Sequence, residues 1–278
     1  MFPWVYEFHW SVGQVIFLGA FFAAVILIAV TMTRAFGRSL RDLRSRSEEK
    51  IRWHAEFHDL RSDARACRHE LTGEVQHRTC TNEFDCRTCN AHPKYVALRA
   101  KEPEADSPAE ETLFGLTMPS DRMYHRGHAW THREEDGTFT VGLDDFGSRL
   151  VGIPDFVDLP APGTRVRTSG TGWSMTKNGS RLRVLSPIDG IVVEQGSAEK
   201  DWFIRIRPDT PDVSTDHLLR GNEIARWVRR ELERLQIALG PTDGAARLAD
   251  GGELIQDISA QIPASDWEAV CGEIFLQP

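Results

Sequence analysis

Between Val12 and Thr33 the chain carries no charged residue. This run, VGQVIFLGAFFAAVILIAVTMT, is 22 residues long. A helix rising about 1.5 Å per residue would stretch it to about 33 Å, enough to cross the hydrocarbon core of a bilayer. The stretch before it, MFPWVYEFHW, has no Lys or Arg, whereas a cleaved signal peptide begins with a basic segment and has a shorter apolar core. The expectation is therefore a retained transmembrane helix. Arg34, Arg38, Arg41, Arg44, Arg46, Lys50 and Arg52 follow it, against Asp42, Glu48 and Glu49. Positive flanks stay inside, so the N-terminus is expected outside the cell membrane and the C-terminal bulk in the cytoplasm. Trp4, Tyr6 and Trp10 suit an outer aromatic belt, with Glu7 and His9 as interfacial polar groups. Gly19 and Ala23, four apart, would permit close helix contact.

The 278 residues divide into five parts. Residues 1–33 are the anchor. Residues 34–98 are a charged juxtamembrane segment, helical at first, that ends in a cysteine-rich metal-binding module. Residues 99–112 (RAKEPEADSPAEET) carry prolines and charges and read as a linker. Residues 113–211 form a β domain and 212–278 a helical tail. The net charge of −8 argues against a nucleic-acid partner. Only five of the 33 basic residues are lysine, which reads first as a composition bias and makes each lysine worth inspecting.

Four of the five cysteines fall in 23 residues, as Cys67, Cys80, Cys86 and Cys89. Cytoplasmic thiols stay reduced, so a disulfide framework is not expected. A polar segment this short lacks a core of its own, and a metal bound by thiolates would supply the folding free energy. Zinc is the first expectation and an iron–sulfur cluster the alternative, since both take four thiolates. A redox dithiol at Cys86 and Cys89 lacks a surrounding βαβ pattern. His69, His77 and His92 are reserve ligands, and His54 and His58 share one helical face upstream.

From residue 113 the pattern changes to short strands. Phe139, Val141 and Leu143 alternate, and Asn178-Gly179 sits between two strand-like arms, a hairpin signal. IVVE and WFIRIRP read as further strands. Asp144 and Asp145 suit the start of a helix, as caps rather than acid–base groups. In the tail, Ile224, Val228, Leu232, Leu235 and Leu239 make the apolar stripe of a helix over 217–239. A second helix is predicted over roughly 252–261. Trp227, Trp267 and Phe275 read as packing residues and Cys271 as a buried core thiol. Glycine-rich phosphate loops, nucleophile elbows and paired catalytic carboxylates are absent from the sequence, so the chain does not read as an enzyme and no small-molecule substrate is identified.

Four motifs resemble one family. Tyr124-x3-His128-x-Trp130, VGLDDFGSRLVG (141–152), DFVDLPAPG (155–163) and SPIDGIVVE (186–194) are similar to segments of the glycine cleavage system H protein. The resemblance spans about 120–207. It implies a mainly β fold, a lipoyl-type barrel-sandwich, and a structural role for His128. In that family a hairpin lysine within Glu-Ser-Val-Lys carries a lipoyl arm between enzymes. Here Lys177 precedes Pro187 by ten residues, two more than in the family, and an ungapped alignment puts Gly179 at the lipoyl position. Ser174 stands where the family has its acidic residue. A two-residue displacement keeps the side chain on the same face and so allows Lys177 to point outward, but it leaves the lysine on the flank of the turn, as a candidate lipoyl site that is expected to stay unmodified. The resulting expectation is a membrane-anchored accessory subunit that docks other proteins in a larger redox or metabolic complex. The alternatives are a tethered lipoyl carrier and an iron–sulfur electron-transfer subunit.

Overall fold

A computed structural model of the chain describes residues 11–44, 57–62, 64–99, 112–239, 249–250, 253–262 and 264–276. The contacts divide the chain into two units, before and after residue 50.

In the first unit, helix α1 (Val12–Arg44) runs well past the apolar stretch. Its segment Val12–Arg34 has a mean hydropathy of 2.8, so one helix is long and apolar enough to cross a membrane. The aromatic flank at 4–10, most of the expected juxtamembrane helix with His54, and the core of the linker lie outside the described residues.

The second unit is mainly β. Strands β1 (Thr112–Leu113) and β2 (Leu116–Thr117) form a small ribbon. The main sheet uses β3 (Met123–Tyr124), β4 (Ala129–Arg133), β5 (Phe139–Leu143), β7 (Arg165–Val166), β10 (Gly190–Ser197) and β11 (Trp202–Pro208). Its order is β3-β4-β5-β11-β10-β7, antiparallel throughout. The smaller sheet, β6-β8-β9, joins β6 (Phe156–Asp158), β8 (Thr171–Lys177) and β9 (Ser180–Leu185). Side chains of both sheets meet in one core, where Trp173 stacks on Phe203 with ring centres 5.0 Å apart. Strands that alternate inward residues around a shared core form a sandwich.

Helices close the ends. The short α2 (Arg68–Leu71) and α3 (His92–Arg99) belong to the cysteine segment. Helix α4 (Asp145–Val151) follows β5, and Asp144 caps it by accepting from Gly147 N at 2.7 Å, as the sequence suggests. Helix α5 (Asn222–Leu239) starts five residues later than the predicted span, and α6 (Ala264–Ile274) ends the chain's described part. The helix predicted over 252–261 is not formed. Strands β12 (Ala249–Asp250) and β13 (Glu253–Leu254) pair there, and a 3-10 turn spans Ile258–Gln261.

The helical tail shares the sandwich's core. Ile224, Trp227, Val228, Leu235, Trp267, Val270, Cys271 and Phe275 are buried with the strand residues in one cluster, so the packing role expected of the aromatics and of Cys271 holds. Burial pushes the Cys271 thiol up. The cysteine segment likewise borrows a core. Phe57, Leu60, Ala64 and Phe84 pack with Leu185 of β9 and with Leu276.

Candidate functional site

The hairpin β8–β9 is built as its sequence implies. Lys177 pairs with Ser180 across Asn178 and Gly179, whose φ angles are +53° and +79°. Two positive φ values make a type I′ turn, which matches the twist of the strands and suits Asn-Gly. Lys177 therefore flanks the turn, and the aligned tip position is Gly179.

The lysine does not use the outward orientation that its face allows. Its side chain is only 10% exposed, and its Nζ donates to Ile153 O at 2.8 Å and lies 3.3 Å from Asp257 Oδ2. Asp257 begins the 3-10 turn. Its other oxygen accepts from Ala260 N at 3.3 Å and from the Ser259 hydroxyl. Burial would raise the Asp257 carboxyl, but Ser259 and Lys177 outweigh it and hold it below its ordinary value. Gly152, at φ +64°, makes room for this clamp, because a Cβ there would sit 2.3 Å from the Asp257 carboxyl carbon. Trp267 Nε1 donates to Lys177 O at 3.2 Å and Asn178 Nδ2 to Ser259 O at 3.4 Å. The C-terminal segment thus straps the hairpin down. Ser174, at the place of the family's acidic residue, is buried and accepts from Arg181.

Beneath the sandwich lies a buried charged cluster. His128 Nδ1 meets Asp144 Oδ2 at 2.9 Å, and its ring stacks on Phe146 and Trp227 at 4.7 and 5.2 Å. Its Nε2 is 3.8 Å from Glu231 Oε2, an ion-pair distance too long for a hydrogen bond. Burial alone would depress the imidazole, but Asp144 and Glu231 outweigh it and raise it to about 9. Burial would likewise raise Glu231, yet Arg234, His128 and Arg126 pull it down to about 2. His128 is thus a charged structural post, in keeping with the role the resemblance implies. His125 is its opposite. Burial drives it well below its ordinary value, and its Nδ1 accepts from Gly127 N at 3.1 Å.

Cys67, Cys80, Cys86 and Cys89, 22 residues apart at the extremes, line one cavity with His69 and His92. All are free thiols. An antiparallel bridge between Ala66 and Thr79 brings the first two together, with Cys67 N donating to Arg78 O and Cys80 N to Arg65 O, both at 2.6 Å. Such diagonal neighbours share a face of the ladder. The other two flank a 3-10 turn, Cys86–Thr88, in which Cys89 N donates to Cys86 O at 3.2 Å. Burial, opposed by Arg68 and reinforced by Cys67, Cys80 and Cys89, pushes the Cys86 thiol up to about 12. Among the described residues no group of three or more His, Cys, Asp or Glu is gathered so as to hold a metal ion. Two of the reserve histidines engage each other: His69 Nε2 and His92 Nδ1 are 2.8 Å apart, and His69 Nδ1 lies 3.2 Å from Glu74. His77 and His58 are exposed.

Arginines lock this segment to the sandwich. Arg126, from the turn between β3 and β4, donates to Ala66 O at 2.6 Å and Ala64 O at 3.2 Å and lies 3.6 Å over the Phe84 ring. Burial lowers its guanidinium to about 10. Arg68 meets the Glu223 carboxylate of α5, Arg87 meets Asp189, and Arg226 donates to Thr72 O at 2.8 Å. Neither these arginines nor Asp257 stood out in the sequence. The partners lie 60 to 155 residues apart, and nothing local marks them.

Comparison with known proteins bears on the sandwich and the first half of α5. A family model described as glycine cleavage H-protein matches residues 122–231. The glycine cleavage system H protein of Shewanella denitrificans is 30% identical over 116 residues, 37% of this chain and 89% of that protein. That of Shewanella loihica is 32% identical over 117 residues, covering 37% and 88%. Among solved structures, a glycine cleavage system H protein from Mycobacterium marinum matches 38% of this chain and 95% of its own, at 24% identity and a TM-score of 0.34.

Proposed function

The chain belongs to the glycine cleavage H-protein family through its residues 122–231, and on that premise we propose that it is a membrane-tethered docking subunit whose H-protein fold is read by protein partners without a lipoyl arm. The observation that carries this reading is the state of Lys177. A ligase needs an exposed, mobile amine at the hairpin tip. The tip residue is Gly179, and the Lys177 amine is held by Ile153 O and Asp257. The relatives' place in the glycine cleavage system supports partners that are themselves proteins. The apolar helix would anchor the chain, with its arginine-rich side and the family domain in the cytoplasm. The cysteine segment, fastened to the family domain, would be stiffened by a metal.

Intact mass spectrometry of the native protein tests the reading. The expected mass is that of the unmodified chain, and the protein should bring partner proteins with it in mild detergent. A lipoyl increment on the peptide that contains Lys177 would overturn it. That outcome would establish the second reading, a tethered carrier, which the position of Lys177 beside an Asn-Gly turn favours.

A further inference from the structure

Four thiols from three stretches of chain line one cavity. A single tetrahedral zinc would draw its sulfurs to within about 3.8 Å of one another, because each Zn–S bond is about 2.3 Å. Among the described residues no three candidate ligands are gathered in that way. In an iron–sulfur cluster the thiolates bind different irons, and inorganic sulfide holds them apart. Four cysteines lining one cavity, two from a ladder and two from a Cys-x2-Cys turn, suit that arrangement.

The wall of the cavity supplies a second, independent observation. Arg68 and Arg126 line it and are 7% and 6% exposed. The Nε atom of each is buried with no hydrogen-bond partner among the described residues. The terminal nitrogens of Arg126 reach only backbone carbonyls, which bring no charge. Arg68 is already paired with the Glu223 carboxylate, and Arg126 feels the charge of Glu231; what is left over is the two Nε–H donors, and buried N–H donors are costly unless an acceptor meets them. Metal-bound thiolates and sulfides are such acceptors, and N–H···S contacts tune a cluster's potential.

We propose that Cys67, Cys80, Cys86 and Cys89 hold an iron–sulfur cluster in this cavity, with Arg68 and Arg126 donating to it. The site lies where the cysteine segment meets the sandwich, since Leu219 and His217 complete its lining. It stands independently of the state of Lys177.

The test uses the full chain, purified without oxygen in detergent and, if pale, reconstituted with ferrous iron and sulfide. The expected result is about two or about four irons per chain with matching acid-labile sulfide, and a broad visible absorption that dithionite bleaches. Replacing Cys86 and Cys89 together by serine should remove the colour, while Cys271→Ser keeps it, which separates ligand loss from loss of a core thiol. Metal and sulfide analysis of the unaltered protein decides the matter even if the double variant misfolds. One zinc per chain with no sulfide, or no metal after reconstitution, would overturn the proposal.

Discussion

His128 shows how one buried charge ties stability to pH. Its imidazole titrates near 6.5 when unfolded and near 9 in the fold. Its charge therefore contributes fully below about pH 6.5, and the contribution is lost as pH rises through about 9. The size is on the order of 3 kcal/mol. Urea midpoints taken at pH 6 and pH 9.5 should fall with pH in the wild type, and the slope in this window should disappear in His128→Gln. An unchanged slope would remove His128 from the account. Lys177 offers a test with a chemical readout. In the intact protein its amine should react with an acylating reagent more slowly than Lys200, whose neighbourhood is exposed. Gly152→Ala should displace Asp257 and speed that reaction several-fold. Asp257→Ala should do the same and cost no more than about 1 kcal/mol, because the ion pair is partly solvated. Equal labelling of Lys177 in all three proteins would mean that the clamp does not hold the amine.

Elements whose signals are local were legible before any coordinates. Asn178-Gly179 demands positive φ at two adjacent positions and forms the expected turn. Asp144 needs only the amide three residues on, and it caps α4. The stripe of α5 follows from helical period alone. What failed was long-range. The stretch 252–261 has helix-compatible residues, yet it is bent into a 3-10 turn because Asp257 must reach a lysine 80 positions upstream. The cysteines were recognised as a group, whereas the arginines that fasten them to the sandwich were read as compositional background. Helix α5 gives the sharpest test at this scale. Trp227 is fully buried against Tyr124 and His128, so Trp227→Ala should cost about 3–5 kcal/mol. Sheet and tail should still unfold in a single transition by circular dichroism, because they share one core. Two separate transitions in the wild type would show the tail to be an independent piece.

For the whole molecule, orientation is the open quantity that a simple assay settles. If the arginine-rich flank stays inside, protease added to sealed inverted vesicles should digest the region beyond residue 52 and leave the apolar helix. Protection of that region would reverse the proposed topology. The strap over the hairpin also has a consequence in time. Lys177 leaves the ribosome 80 residues before Asp257. At about 5–20 residues per second, the amine is uncovered for roughly 4–16 s of synthesis and then closed over. A modifying enzyme acting on finished chains meets a shut door, whereas one working beside the ribosome has that interval. Nascent chains stalled before Asp257 emerges should consequently accept an acyl group at Lys177 that released protein refuses.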